Sequence, residues 1–109
     1  MKIYLSGKIT GEETQAHKTF AEKETELKAK GFNVINPMTL PHKHDKTWKS
    51  YMRDCIKALC DCDAILMLPG WENSKGAIIE HDVSIRLEIT VFYKNVTQQN
   101  LKNYDTRTV

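Results

Sequence analysis

The chain has 109 residues, of which 40% are hydrophobic and 28% are charged. This composition is ordinary for a globular protein, and the length fits one domain over residues 1–109. The formal net charge of +2 is too mild to favour polymeric nucleic acid as a partner. We find no apolar run that is long enough to span a membrane and no signal peptide before the first predicted strand. We therefore expect a cytoplasmic protein without a membrane partner.

The three cysteines, Cys55, Cys60 and Cys62, are odd in number, which does not suit a disulfide framework. They and a polar cluster at residues 42–45 offer metal-ligating side chains. However, a complete tetrahedral set is missing, and Cys55 lies on the face of a predicted helix. We expect neither a metal nor a cofactor.

Strand and helix patterns alternate along the chain. Strands are predicted at 2–6, 32–36, 63–68 and 89–93, and helices at 13–30, 47–60 and 75–87. The tail from residue 94 is polar and weakly patterned. This alternation predicts a single-domain α/β fold of the flavodoxin or Rossmann-like kind. About four parallel strands form the sheet, with helices on both faces and right-handed crossovers.

Apolar residues at helical spacing predict which face of each helix packs on the sheet. In the first helix these residues are Ala16, Phe20, Ala21 and Leu27, and in the third they are Ala77, Ile78, Val83 and Ile85. Gly31 is expected to end the first helix.

The segment after the third strand carries the most chemistry. Ser74 occupies the expected N-cap position of the third helix, and Glu80 falls near its second turn. Open α/β sheets bind ligands at the carboxyl ends of their strands, and helix N-termini attract phosphates. Glu80 could therefore act there as a nucleophile or a base, although a solvated helix glutamate is an alternative.

Two further features are expected at the same edge. The turn Gly7-Lys8-Ile9-Thr10-Gly11 has small residues and a cation that suit an anion, although it lacks the P-loop and dinucleotide signatures. A plain turn is the alternative. Asp54 could share acid and nucleophile roles with Glu80, or it could pair with Arg53 or Lys57 on its own helix.

Three segments, KIYLSGKITG, YMRDCIKALCDCDAILMLPGW and ENSKGAIIE, occur in this order. Together they resemble the nucleoside 2-deoxyribosyltransferase-like superfamily, in particular its small, often phage-borne members, from Met1 to about Tyr93. The resemblance implies cleavage of the N-glycosidic bond of nucleosides or nucleotides. It also implies a glutamate nucleophile and a glycosyl-enzyme intermediate that water or a second base resolves.

The same resemblance implies roles for individual residues. Glu80 matches the nucleophile, Asp54 the acid that handles the leaving base, and Tyr4 the tyrosine that orients the nucleophile. The residues that match positions near the sugar or its 5′ group are Gly7, Lys8, Gly11 and Ser74. The family often completes its site with a neighbouring subunit, so a homo-oligomer of two or more chains is expected.

Position 74 bears on the substrate. In transferases of free nucleosides an acid there accepts a bond from the 5′-hydroxyl, whereas Ser74 with Lys8 nearby would favour a phosphate. This is similar to the nucleoside 5′-monophosphate N-hydrolases and predicts a (deoxy)nucleoside 5′-monophosphate as substrate. Ile78 and Asp82 stand where better-characterised members have glycines, and they could narrow the pocket. A non-catalytic nucleotide-binding module and an NAD-cleaving enzyme remain as alternatives.

Overall fold

The computed structural model describes residues 1–42 and 47–93. The strands in these residues are β1 (Lys2–Ser6), β2 (Asn33–Ile35), β3 (Ala64–Met67) and β4 (Thr90–Tyr93). The helices are α1 (Glu13–Ala29), α2 (Trp48–Cys60) and α3 (Lys75–Arg86), with a 3₁₀ turn at Trp71–Asn73. Within this part of the chain, no helix has both the length and the apolar character needed to cross a membrane. The polar tail from residue 94 lies outside the described residues.

The strands form one parallel sheet in the order β2-β1-β3-β4. Tyr4, in the interior strand β1, is in register with Ile35 of β2 and Ile65 of β3. This arrangement confirms the predicted α/β fold class. The connection after β1 leads to β2 on one side, and the connection after β3 leads to β4 on the other side. A topological switch point therefore lies between β1 and β3, where such sheets bind ligands.

The alternation of side chains along β1 separates two layers of core. Ile3 and Leu5 face α1, where they pack with Phe20 and Leu27. Tyr4 faces the opposite side, where α2 and α3 pack against the sheet through residues that include Cys55, Leu59 and Ala77. Because successive strand residues point to opposite faces, a polar side chain at position 4 is delivered to the α2–α3 side.

Helix α1 follows its predicted stripe with one exception. Ala16, Phe20 and Leu27 are buried, whereas Ala21 is exposed. The prediction for Ala21 was wrong because each helical residue turns by about 100°, which moves position 21 off the stripe that position 20 occupies. Gly31 follows the helix with φ of +91°, a conformation that favours glycine.

Helix α3 buries only part of the predicted apolar pattern, since Ala77 is buried and Val83 packs partly buried against the core. Ile78 and Ile85 are 46% and 52% exposed, and the buried residues are Ala77, Glu80 and Ser84. These three residues lie at the spacing i, i+3, i+7 of a single helix face. The helix therefore turns a carboxylate and a hydroxyl toward the sheet and leaves isoleucines on its outer surface.

A matched pair of substitutions tests the orientation of α1. Ala16→Leu inserts a larger side chain into a filled layer and should lower the free energy of unfolding by roughly 1–3 kcal/mol. Ala21→Leu places the same side chain on the exposed face and should change it by no more than about 0.5 kcal/mol. Urea denaturation of both variants measures the difference. Equal losses would show that position 21 also packs on the sheet.

Candidate functional site

A cavity of about 450 Å³ opens at the carboxyl edge of the sheet. Its wall includes Gly7 after β1, Pro37 after β2 and Ser74 after β3, together with residues of α2 and α3. The volume lies within the range of small-molecule sites, and the position is the one that the switch point favours.

Glu80 lies in the wall of this cavity and is 5% exposed. Its carboxylate accepts two hydrogen bonds from β1: the Tyr4 hydroxyl donates to Oε2, and the Ser6 hydroxyl donates to Oε1 at 2.7 Å. The alternative of a solvated helix glutamate was therefore wrong. Both carboxylate oxygens are held in a fixed orientation by hydroxyls on a rigid strand.

Ser6 is a site residue that sequence reasoning missed. It lies two positions after Tyr4, so both side chains emerge from the same face of β1. That period of two was the available signal: once Tyr4 is placed at the site, Ser6 follows on the same side. Neither residue reveals from the sequence that its partner is 74 or more positions away.

Burial raises the pKa of Glu80 from its ordinary 4.5 to about 7, while the hydrogen bonds from Tyr4 and Ser6 act in the opposite direction. Burial, together with the negative charge of Glu80, also raises the pKa of Tyr4 well above its ordinary value. Tyr4 therefore keeps its proton at neutral pH and can donate it in a hydrogen bond. A pKa of about 7 means that the carboxyl group changes its protonation state near neutral pH. Buried groups with pKa values shifted in this way are typical of functional sites.

Helix α2 supplies an apolar and aromatic wall. Trp48, Tyr51, Met52 and Cys55 all line the cavity. Burial raises the pKa of Cys55 to about 11 and moves the pKa of Tyr51 upward as well. Both side chains are therefore neutral at pH 7. The wall suits the flat face of an aromatic ring, which stacks favourably on such side chains.

Ser74 caps α3 as its sequence position predicted. Its side-chain oxygen accepts a bond from the Ala77 N–H at 3.2 Å, and the residue also lines the cavity. The serine hydroxyl still carries a hydrogen that it can donate to a ligand. Ser74 thus joins Tyr4, Gly7 and Glu80 among the predicted site residues that border the cavity.

A recess of about 380 Å³ adjoins the cavity, since Thr10, Trp48 and Ser74 border both. Two cations line this recess: Lys8, which was predicted, and Lys75, which was not. The Lys75 ammonium lies 4.6 Å from the centre of the Trp48 ring, a cation–π geometry. Lys75 is the first residue of α3, directly after the predicted N-cap Ser74. This place at a helix N-terminus was the sequence signal that could have identified it.

Gly7 and Gly11 have different roles. A Cβ on Gly7 would lie 3.1 Å from Cβ of Leu68 and 3.3 Å from the Phe20 ring, so the close approach of the chain there favours glycine. Gly11 has φ of +89° and does not border the cavity, and its N–H donates to Glu13 at 3.1 Å. Its amide serves the turn before α1, and its place near the 5′ group of a ligand stays a prediction.

Asp54 does not border the cavity. Its carboxylate lies 3.0 Å from Nδ1 of His42, on the loop after β2. Asp54 nevertheless sits between Tyr51 and Cys55 in the sequence of α2, and both of those residues line the cavity. The structure therefore places Asp54 beside the wall and Glu80 in it.

The two residues that replace the family's glycines do not close the pocket. Ile78 and Asp82 are exposed and do not border the cavity, and Asp82 pairs with Arg86 on the outer face of α3. Both positions lie outside the helix face that carries Glu80, so larger side chains there leave the cavity open.

Among residues 1–42 and 47–93, no group of three or more potential ligands is arranged to hold a metal ion. The described cysteines all carry free thiols, with Cys60 exposed and the other two buried. The polar cluster considered at residues 42–45 falls mostly outside the described residues.

The raised pKa of Glu80 predicts a pH-dependent contribution to stability. Between pH 4.5 and about 7 the folded protein holds a proton that the unfolded chain releases. The free energy of unfolding should therefore fall as pH rises through this window, by up to roughly 3 kcal/mol. Glu80→Gln removes this contribution, whereas the exposed control Glu72→Gln should keep it. Denaturation from pH 4.5 to 8 measures it, and identical pH slopes in wild type and Glu80→Gln would contradict the assignment.

The comparisons with known proteins agree with the fold. The structure is similar to that of a 2-deoxyribosyltransferase from the psychrotolerant bacterium Bacillus psychrosaccharolyticus, with a TM-score of 0.66 and 18% sequence identity. The match covers 94% of this chain and 81% of that one. At this level of identity, the likeness shows that the two chains share a fold. No curated protein matches the chain. Residues 1–93 match the family described as "Domain of unknown function (DUF4406)", and the chain belongs to that family.

Proposed function

We propose that this protein cleaves the N-glycosidic bond of a (deoxy)nucleoside 5′-monophosphate, with Glu80 as the nucleophile. The observation that carries the proposal is the buried carboxylate of Glu80, held by Tyr4 and Ser6 in the wall of an open cavity. Such a carboxylate is oriented in advance and shielded from water, which is what attack on an anomeric carbon requires.

The chemistry follows the pattern of retaining glycosidases. One oxygen of Glu80 forms a bond to C1′ as the bond between C1′ and the base nitrogen breaks, and that nitrogen takes the electron pair. Water then attacks C1′ and releases the carboxylate, with a second base as the alternative acceptor. The hydroxyls of Tyr4 and Ser6 stabilise the carboxylate when it leaves.

The two ends of the substrate match different parts of the site. The base would lie against the apolar wall of α2, where Trp48 and Tyr51 offer aromatic surfaces. The 5′-phosphate would lie in the adjoining recess, near Lys8, Lys75 and the hydroxyl of Ser74. Two cations and a helix N-terminus favour a dianion over a neutral hydroxyl.

The fold similarity supports the same class of reaction. The similar structure is that of a 2-deoxyribosyltransferase described as a biocatalyst for the synthesis of nucleosides. We extend only the class, glycosyl transfer from a nucleoside-like donor, to this chain. The lysines of the recess favour a phosphorylated donor here.

We also propose that the chain forms a homo-oligomer. Helix α3 leaves Ile78, Ile79 and Ile85 exposed, and Leu87 follows directly after the helix with 58% exposure. Several large apolar side chains exposed on and next to one helix favour a surface that another protein covers. A second chain would also complete the wall of a site at the edge of so small a sheet.

Base release is the direct test of the proposed activity. Wild-type protein should release free base from nucleoside monophosphates, and Glu80→Ala should lose several orders of magnitude in rate because the nucleophile is gone. Glu72→Gln, on the exposed 3₁₀ turn, should retain wild-type rates. Chromatography of reactions with nucleosides, monophosphates and NAD measures release. Near-normal turnover by Glu80→Ala would contradict the assignment, release from NAD alone would favour the NAD-cleaving enzyme, and ligand-induced stabilisation without release would favour a binding module.

Position 74 tests the preference for a phosphate. A monophosphate should bind wild-type protein at least about tenfold more tightly than its nucleoside, which corresponds to about 1.4 kcal/mol. Ser74→Asp should narrow or reverse this preference, because it adds a like charge beside the phosphate while aspartate still caps the helix. Ser74→Asn, an uncharged cap, is the matched control and should keep it. Calorimetric titration of both ligands measures the preference. Equal affinity of the wild-type protein for nucleoside and monophosphate would contradict it and would favour a transferase of free nucleosides.

A further inference from the structure

The ring of His42 contacts two oxygen atoms beside the cavity. Its Nδ1 lies 3.0 Å from Oδ2 of Asp54, and its Nε2 lies 3.1 Å from the backbone carbonyl oxygen of Pro37. A carbonyl oxygen only accepts hydrogen bonds, so Nε2 must carry a hydrogen. A neutral imidazole has one N–H, which the contact with Pro37 therefore uses.

The contact with Asp54 requires a second proton. Either the imidazole is doubly protonated and donates to an ionised carboxylate, or a protonated carboxyl of Asp54 donates to a neutral ring nitrogen. In both cases the pair holds one proton more than a neutral histidine and a free carboxylate. We name His42 and Asp54 the proton-holding pair.

This pair adjoins the wall where the base would lie. The ring of His42 packs on that of Tyr51 with centroids 4.5 Å apart, and Tyr51 and Pro37 both border the cavity. On the cavity side of α2 the pair is followed by Tyr51 and Cys55, and burial raises the pKa of each, that of Cys55 to about 11. These two side chains stay neutral and do not compete for the proton. Arg53 and Lys57 are the cationic neighbours of Asp54 in the sequence of α2.

We propose that His42 is a positioning residue that keeps a transferable proton on the pair with Asp54, for delivery to the leaving base. The proposal rests on the proposed function and deepens it, because it gives Asp54 a source for its proton. When Glu80 bonds to C1′, the electron pair of the breaking bond goes to the base nitrogen, which takes the proton from the pair. The water that attacks C1′ in the second step returns a proton to the pair.

The first test compares leaving groups. For a monophosphate whose base must be protonated to leave, His42→Ala should lower kcat by about 10²-fold. It should leave within about twofold the kcat for a deoxyribose 5-phosphate that carries nitrophenolate, a leaving group that departs without a proton. His42→Asn retains an N–H toward Asp54 but has no transferable proton. Its KM for the monophosphate should therefore match that of wild type, while its kcat should stay as low as that of His42→Ala. Equal slowing on both substrates, or none on either, would overturn the proposal.

The second test separates this proposal from the proposed function, because it needs no turnover. Nitrogen NMR of histidine-labelled protein reports the protonation of each ring nitrogen of His42 in the resting state. Asp54→Asn should change the chemical shift of Nδ1 of His42, whereas Asp82→Asn, on the outer face of α3, should not. If the ring nitrogens of His42 give identical signals in wild type and Asp54→Asn, the pair does not exist, whatever reaction the protein catalyses. If the signals differ as expected and wild type releases no base, the proposed function fails and the catalytic role of the pair fails with it.

Discussion

The hydrogen bonds between Glu80 and the first strand connect parts of the chain that are 74 and 76 residues apart. A buried carboxylate is strongly unfavourable unless donors replace the water that it loses. Tyr4 and Ser6 supply those donors from one face of β1, and only a helix that lies over the end of that strand can bring Glu80 to them. The position of α3, the opening of the cavity and the chemistry of its wall all depend on this contact.

The same contact sets a balance between stability and reactivity. Burial holds the pKa of Glu80 near 7, so above that pH the folded protein contains a carboxylate that is only partly compensated. A fully satisfied or solvated glutamate would stabilise the fold more but would be weaker in the nucleophilic role that we propose. Such perturbed groups in clefts are typical of functional sites, where a local loss of stability accompanies a prepared reactive geometry.

Much of the fold could be predicted because it depends on local patterns. Strand β1 was placed with its observed bounds, and the remaining elements were within a residue or two of theirs. The N-cap at Ser74 and the helix stop at Gly31 follow from local backbone chemistry, and both were predicted. The tendency of parallel sheets to bind ligands at their carboxyl edge then brought Gly7, Ser74 and Glu80 to one place.

The remainder depends on contacts between distant residues, which no local pattern records. Ser6 and Lys75 were missed because their significance appears only when β1 meets α3 and when α3 begins beside α2. His42 was considered as part of a polar loop, and its pairing with Asp54 joins segments 12 positions apart. The isoleucines of α3 predicted the wrong buried face, since the contact of Glu80 with β1, rather than apolar burial, fixes the rotation of that helix.

Trapping the covalent intermediate tests the role of Glu80 most directly. Fluorine at the 2′ position of a nucleoside monophosphate should slow both steps, because it disfavours positive charge at C1′. A base that is a good leaving group keeps the first step the faster of the two, so the intermediate accumulates. Acid quenching, proteolysis and mass spectrometry should then find the sugar phosphate attached to the peptide that contains Glu80, and no adduct on that peptide from Glu80→Gln. Release of base by the wild-type protein with the adduct on another residue, or with none accumulating at any time point, would contradict nucleophilic catalysis by Glu80.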